Sequence, residues 1–164
     1  TPHPAADAGG ARPCAPGFLS TLRTFDFEVV MISCFPVEEI KTLSPLVLAH
    51  VGDAYFHLYI RTRLLDFTHN ITRLHDLSAK IVSAPAQAKI YSDIEKLLTE
   101  EERDIFRRGR NAKSHAPRKA TVAEYHASTG FEALLGELFL RKNFARLDEI
   151  CELAFAAAFK ETSL

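Results

Sequence analysis

The chain has 164 residues, of which 47% are hydrophobic, and its formal net charge is −1. This length and composition are typical of one folded domain with a sizeable core, and they exclude a disordered or fibrous protein. No apolar run reaches the roughly 18–20 residues that a membrane-spanning helix requires, so no membrane partner is expected. The cysteines, Cys14, Cys34 and Cys151, lack metal-binding spacing and indicate free thiols in a reducing compartment.

Residues 1–30 form an N-terminal extension that we expect to be disordered. It opens with TPHPAADAGGARPCAPG, which is rich in Pro, Ala and Gly and has no apolar periodicity. Met31 is the only methionine and stands just before the first predicted folded element, which favours a translation start there. A targeting segment is the alternative, but the extension lacks the continuous apolar stretch of a secretory signal.

Residues 36–162 carry helix signals and almost no strand signal, so we expect an all-α fold. Helix starts are marked by a serine before a proline, by a further proline, and by two capping boxes. Apolar residues then follow at helical spacing. The first predicted helix runs from Ser44–Pro45 to about Phe67, and the second covers ITRLHDLSAKIVS. The third follows Pro85 and has Ile90, Ile94, Leu97 and Leu98 on one face, and the fourth follows the capping box TEEE. The fifth follows the capping box TVAE and continues to about Lys142, and the sixth follows Asn143.

The first predicted helix carries a polar stripe in an otherwise apolar segment, LVLAHVGDAYFHLYI. At about 100° per residue, its members lie on one side of the helix. A solvated face with local Asp–His pairs is one explanation. The apolar character of the other faces favours a stripe that lines a cleft instead. The stripe consists of His50, Asp53, His57 and Arg61.

The fifth predicted helix repeats this arrangement in STGFEALLGELFL, where Glu132 is surrounded by large apolar residues. Glu137 should point elsewhere and be exposed. A glycine in a helix interior costs about 1 kcal/mol relative to alanine, yet Gly52, Gly130 and Gly136 all lie beside the two carboxylates. Close approach of the two helices would account for these glycines. Two carboxylates at such a contact form a hard oxygen site for Mg²⁺.

A basic run, RRGRNAKSHAPRK, lies between the fourth and fifth predicted helices and is expected to be a loop, because Gly109 and Pro117 should prevent helix. It has six Lys or Arg and no acidic residue. The run is either a solvated, partly mobile loop or a phosphate-binding segment. It contains no aromatic residue for base stacking, so a duplex backbone suits it best. The candidate RNA-binding residues are Arg107, Arg108, Arg110, Asn111, Lys113, Ser114, Arg118 and Lys119.

Four blocks of the chain resemble Mini-ribonuclease III, the short branch of the ribonuclease III superfamily that lacks the double-stranded RNA-binding domain. They are LAHVGDAYFHLYIRTRLL, IVSAPAQAKI, LTEEERDIFRRGRNAKS and STGFEALLGELFL, in the family's order and spacing. The resemblance covers roughly residues 36–160 and implies a ribonuclease III catalytic domain over 36–162. Asp53 matches the aspartate of the Gly-Asp-Ala signature, and Glu132 matches the glutamate of the Phe-Glu-Ala-Leu signature.

The resemblance implies an endoribonuclease that acts as a homodimer, each subunit cutting one strand of double-stranded RNA. It implies Mg²⁺, with Mn²⁺ as a substitute, held by Asp53 and Glu132 as metal ligands and catalytic residues. The products would carry a 5′-phosphate and a 3′-hydroxyl. The implied setting is the bacterial cytoplasm, where the branch matures large-subunit ribosomal RNA precursor, and a ribosomal protein on that precursor is a further expected partner.

Two details of the implied metal site concern this chain in particular. We expect Asp53 to be buried at the helix contact, with its charge offset by the cation. Full-length ribonuclease III has further acidic residues where this chain has Leu46, Ala49 and Thr129. Fewer protein ligands are therefore expected, and a tightly held second metal is not.

Three alternatives remain on the sequence alone. The dipeptide His75–Asp76 is similar to the signature of HD-type metal phosphohydrolases, which are also all-α. The chain could also be a non-catalytic RNA-binding or ribosome-assembly module with the same fold. Finally, His50 and His57 could form a zinc site with Asp53.

Overall fold

The computed structural model describes residues 35–113 and 120–161, and the described chain is all-α, with six α-helices and no strand. The predicted N-terminal extension, residues 1–30, lies outside the described residues, as do Ser114, Arg118 and Lys119. None of the described helices is long and apolar enough to span a bilayer. The helices are α1 Pro45–Leu64, α2 Ile71–Ile81, α3 Ala84–Ile94, α4 Glu100–Arg110, α5 Val122–Leu140 and α6 Phe144–Glu161, with 3-10 helices at Val37–Thr42 and Glu95–Leu97.

Side-chain caps begin the helices where the sequence predicts them. The Ser44 hydroxyl accepts a hydrogen bond from the backbone N–H of Leu46, and Pro45 is the first residue of α1. Complete capping boxes open α4 and α5, at Thr99 and Thr121 respectively. Each box satisfies two backbone N–H groups that a helix start otherwise leaves without partners.

The central helix is α5, which packs against α1, α3, α4 and α6. It is buried on almost every side, as its fully buried residues Phe131, Leu134 and Leu135 show. The ring of Phe56 from α1 meets Phe131 edge-on, with centroids 5.3 Å apart. Glu132 follows Phe131 directly, so the sequence places a carboxylate on a helix that is surrounded by other helices.

Glycines allow α1 and α5 to touch through their backbones. A Cβ atom built on Gly52 would lie 1.8 Å from the carbonyl oxygen of Glu132, and one built on Gly136 would lie 1.9 Å from the carbonyl oxygen of Leu48. No side chain fits in either place, so the predicted reason for these two glycines is confirmed. Gly130 serves a different contact, because its Cβ would meet Phe106 of α4 rather than α1.

The structure corrects two predictions in this region. The basic run starts inside α4 rather than in a loop, because acidic residues at the start of α4 and arginines at its end both suit the helix dipole. Gly109 does not stop the helix, and a Cβ there would lie 2.8 Å from the Cβ of Ala133. Leu97, predicted on a buried face, is exposed, since the chain leaves α3 at Ile94 and turns through a 3-10 helix.

Candidate active site

Asp53 of α1 and Glu132 of α5 lie side by side. The direct backbone contact at Gly52 brings the two helices together one residue before Asp53 and at Glu132 itself. The two carboxyl groups are within hydrogen-bonding distance of each other. The predicted meeting of the two carboxylates is therefore present in the structure.

Burial and charge act strongly on Glu132. Its pKa is raised from 4.5 to about 8, first by burial and then by the negative charge of Asp53. A hydrogen bond from Gln87 Nε2 to Glu132 Oε1, 3.0 Å long, lowers the pKa but does not offset the other two effects. Glu132 therefore keeps its proton at neutral pH in the metal-free protein, and a bound cation would favour its ionisation.

Asp53 forms the open side of the pair. Its side chain is 49% exposed, and its Oδ1 lies 3.2 Å from His57 Nε2, one helical turn further along α1. The prediction that Asp53 is buried is therefore wrong, because the polar stripe of α1 lies at the surface. Glu132 is partly buried and is the more deeply placed of the two carboxylates. A substrate can approach the pair from the Asp53 side.

The donor set fits Mg²⁺ better than a transition metal. Two carboxylates in contact provide hard oxygen ligands, and Mg²⁺ usually completes its shell with water and substrate phosphate oxygens. Within residues 35–113 and 120–161, no three or more His, Cys, Asp or Glu side chains gather as a metal site. The zinc site considered for His50, His57 and Asp53 is thus not formed, and His50 is exposed.

Gln87 is the residue of this site that the sequence analysis missed. Its side chain is 1% exposed and bonds directly to Glu132. A signal was present, since Gln87 continues the buried face of α3 at helical spacing with Ile90, Tyr91 and Ile94. An amide at a core position of an amphipathic helix indicates a specific hydrogen bond.

Four of the predicted RNA-binding residues fall into two groups. Arg107 pairs with Glu100 and Asp104, and these bonds bridge successive turns of α4. Arg110, Asn111 and Lys113 are exposed at the end of α4. Neither of the two cations in that second group forms an ion pair with the described residues. They are therefore better placed to meet an external anion.

Arg108 instead pairs from a half-exposed position with the buried carboxylate of Glu137. Glu137 is 2% exposed, and its carboxylate accepts hydrogen bonds from Arg108 Nη2 at 2.9 Å and from Arg141 Nη2 at 2.6 Å. The prediction that Glu137 is exposed is wrong, because two arginines, one from α4 and one from the end of α5, neutralise it. Arg108 is thus part of the contact between α4 and α5, which makes it a weaker RNA-binding candidate.

The structure also bears on two further predictions, the free thiol at Cys151 and the HD-type site at His75 and Asp76. Cys151 is buried and free, as predicted, and burial raises its pKa well above the ordinary thiol range. His75 and Asp76 are both exposed on α2. The described residues bring no other metal-ligand side chains to them, so the HD alternative has no structural support.

The fold and the paired carboxylates define a ribonuclease III catalytic domain, and residues 46–143 match the Ribonuclease III domain family. The Mini-ribonuclease 3 of Symbiobacterium thermophilum is 48% identical over 115 residues, which are 69% of this chain and 88% of that protein. The Mini-ribonuclease 3 of a Thermoanaerobacter species is 49% identical over 119 residues, 71% of this chain and 84% of that protein. A crystal structure of a Fusobacterium nucleatum protein superposes with a TM-score of 0.66 at 36% identity, covering 72% of this chain and 96% of that one.

The chain belongs to the Mini-ribonuclease 3 branch of the ribonuclease III family, and it is an endoribonuclease. The resemblance and the all-α catalytic fold predicted from the sequence are confirmed. Both alternatives, a phosphohydrolase of the HD type and a non-catalytic module, give way to this assignment.

Proposed function

We propose that the protein hydrolyses double-stranded RNA at Asp53 and Glu132 with Mg²⁺ as cofactor, Mn²⁺ being a substitute. The observation that supports the proposal is the contact between a half-exposed carboxylate and a more deeply placed, partly buried one. When bound, Mg²⁺ supplies an activated water and neutralises charge on the phosphate. The products are then a 5′-phosphate and a 3′-hydroxyl.

The roles of the two carboxylates differ because their surroundings differ. Glu132 would lose its proton and serve as one ligand of the cation. Asp53, oriented by His57, would be the second ligand, on the side that is open to solvent and to a phosphodiester. Their combined negative charge opposes the approach of RNA until a cation offsets it.

We propose that the duplex backbone is bound by the end of α4 and the segment that follows it. Exposed Arg110, Asn111 and Lys113 support this assignment, and residues 114–119 continue the same basic run. The described part of the catalytic domain offers only a few such side chains, so it can make few phosphate contacts. Binding should therefore be weak and strongly salt-dependent, at roughly 0.7–0.9 in log–log slope per phosphate.

The homodimer is proposed to form through the outer face of α1 and the start of α2. Leu58 and Ile71 are 64% and 65% exposed, and Val47 and Leu65 extend the same apolar stripe. Leu58, Leu65 and Ile71 also line one shallow groove between the two helices. Contiguous exposed apolar surface of this kind typically marks a protein contact. A second copy of the chain, related by a twofold axis, would bury its own stripe against this one.

The proposed substrate is the precursor of large-subunit ribosomal RNA in the bacterial cytoplasm, with a ribosomal protein on that precursor as a further partner. The support is the family resemblance of the four sequence blocks and the bacterial origin of the relatives named above.

The proposed chemistry is tested by cleavage of a labelled RNA duplex of a few dozen base pairs with Mg²⁺, with Mn²⁺ or with EDTA. Wild type is compared with Asp53→Asn and Glu132→Gln, whose helix content is checked by circular dichroism. We expect both strands to be cut only with a divalent ion, and neither variant to cut. Cleavage by the folded variants would refute the assignment, and loss of activity on His75→Ala would favour the HD alternative.

A further inference from the structure

Gln87 binds the partly buried Glu132 carboxylate of the active site from a third helix. Its side-chain nitrogen donates to the carbonyl oxygen of Val82 at 2.9 Å and to Glu132 Oε1 at 3.0 Å. The Val82 carbonyl can only accept, so the nitrogen and not the oxygen of the amide must face it, and the same nitrogen then reaches Glu132 Oε1. The amide therefore connects the end of α2 to the carboxylate of α5.

The backbone around Gln87 makes this donor rigid. Val82 ends α2, with its N–H bonded to Ser78 O, and Ser83 caps α3 through a bond from the backbone of Ala86. Gln87 lies at the start of α3, and its side chain is sealed from solvent. The amide is thus fixed at two points that do not depend on Glu132, namely its own helix and the Val82 carbonyl.

Packing alone gives no reason for an amide at this position. The other end of the side chain, Gln87 Oε1, is buried and has no hydrogen-bond partner among the described residues. A buried acceptor without a partner is costly, and its neighbours on the same face of α3, Ile90 and Ile94, are apolar. What the amide contributes is the bond from its nitrogen to Glu132.

We propose that Gln87 is a positioning residue that uses its anchor on Val82 to fix the orientation of the Glu132 carboxylate for divalent-cation binding. The inference rests on the proposed metal role of Asp53 and Glu132. A bond to one oxygen restricts rotation of the carboxylate about its last side-chain bond. Hydrogen bonds of this kind to metal ligands typically contribute 10- to 100-fold in metal affinity or activity.

The test uses Gln87→Met, which keeps the length of the side chain but removes the donor, and Ile90→Val as a matched control. Ile90 is equally buried on α3, and its apolar side chain offers Glu132 no hydrogen bond. Mn²⁺ affinity is measured at pH 8 by electron paramagnetic resonance on full-length wild type, both variants and Glu132→Gln, without RNA. Duplex RNA affinity in EDTA and kcat and KM with Mg²⁺ are measured on the same samples.

We expect Gln87→Met to weaken Mn²⁺ binding about 10-fold or more and to lower kcat, while RNA affinity in EDTA stays within about twofold of wild type. Ile90→Val should change none of these. An unchanged Mn²⁺ affinity for Gln87→Met, or an equal loss in Ile90→Val, would overturn the inference. If wild type and Glu132→Gln bind Mn²⁺ alike, the proposed metal site itself is wrong. Should Gln87→Met not fold, Gln87→Asn, which is too short to reach both acceptors, is held to the same criteria.

Discussion

Replacing Glu132 by glutamine should stabilise the metal-free protein at alkaline pH while it removes activity. Below pH 4.5 the carboxyl group is protonated in the folded and unfolded states alike, so it has no effect on stability. Between pH 4.5 and 8 the unfolded chain releases the proton and the folded protein keeps it, because the folded pKa is about 8. Folding stability of the wild type therefore falls as pH rises through this window and levels off above it.

The size of the effect follows from the two pKa values. A difference from 4.5 to about 8, at about 1.4 kcal/mol per unit, corresponds to roughly 5 kcal/mol. Water that reaches the half-exposed Asp53 screens part of the repulsion, so we expect about 2–3 kcal/mol. A glutamine can accept the same bond from Gln87 Nε2 without carrying a charge, and it escapes this loss.

The assay is urea unfolding at about pH 5.5 and 8.5 in EDTA, on either side of most of the titration window, followed by circular dichroism. Carboxylates such as Glu102 and Glu124, whose pKa values are lowered by hydrogen bonds, are largely ionised in the folded and unfolded states over this pH range and are the same in both proteins. Asp53→Asn removes the negative charge that contributes to the raised pKa of Glu132. Its stability should therefore fall with pH only by the amount that is due to the burial of Glu132. Equal pH dependence in wild type and Glu132→Gln would refute the reasoning.

The remaining predictions concern packing, RNA binding and assembly. Gly52→Ala should cost about 3 kcal/mol or more in unfolding free energy and remove activity, because the new methyl group meets a backbone oxygen. Arg108→Met should destabilise the fold by roughly 1–3 kcal/mol, since the buried Glu137 keeps only Arg141. Arg110→Ala should leave stability unchanged and reduce the log–log salt slope of RNA binding by about 0.7–0.9. Leu58→Lys should convert the proposed dimer to monomers in sedimentation velocity.

Each of these predictions has a control and a contradicting result. The control Ala54→Gly, at an exposed position of α1, should cost only about 1 kcal/mol in unfolding free energy and retain activity. If Gly52→Ala loses no more stability than this control, the two helices are not in contact at Gly52. If Arg108→Met weakens RNA binding without loss of stability, Arg108 is an RNA ligand after all. An unchanged salt slope for Arg110→Ala would remove Arg110 from the RNA interface. Leu97→Lys, a similarly exposed apolar position on the 3-10 helix, should stay dimeric, and dimeric Leu58→Lys would exclude the proposed interface.

Local and close-range patterns were sufficient for much of the fold. The capping boxes at Thr99 and Thr121 act within one helical turn, so the sequence alone locates them. The contact that joins Asp53 to Glu132 also has a sequence signal. A glycine inside an apolar helix costs stability and is typical of places where another backbone comes close. The glycines beside Asp53 and Glu132 therefore indicate that the two carboxylates lie close together.

The errors arose where a partner lies far along the chain. Glu137 pairs with Arg108, 29 residues earlier, and no local spacing shows that this bond buries it. Gly109 has the chemistry of a helix breaker but serves close packing of α4 on α5. The apolar character of α1 favours a buried Asp53, yet part of that apolar surface is itself exposed at Leu58 and neighbouring positions.

The most direct test of the central account is a crystal structure of the protein soaked with Mn²⁺, with the ion located by its anomalous scattering. The account predicts a peak in contact with the carboxylates of both Asp53 and Glu132, and its loss in Glu132→Gln crystals. A peak that touches neither carboxylate, or one located at His75 and Asp76, would contradict the proposed metal site.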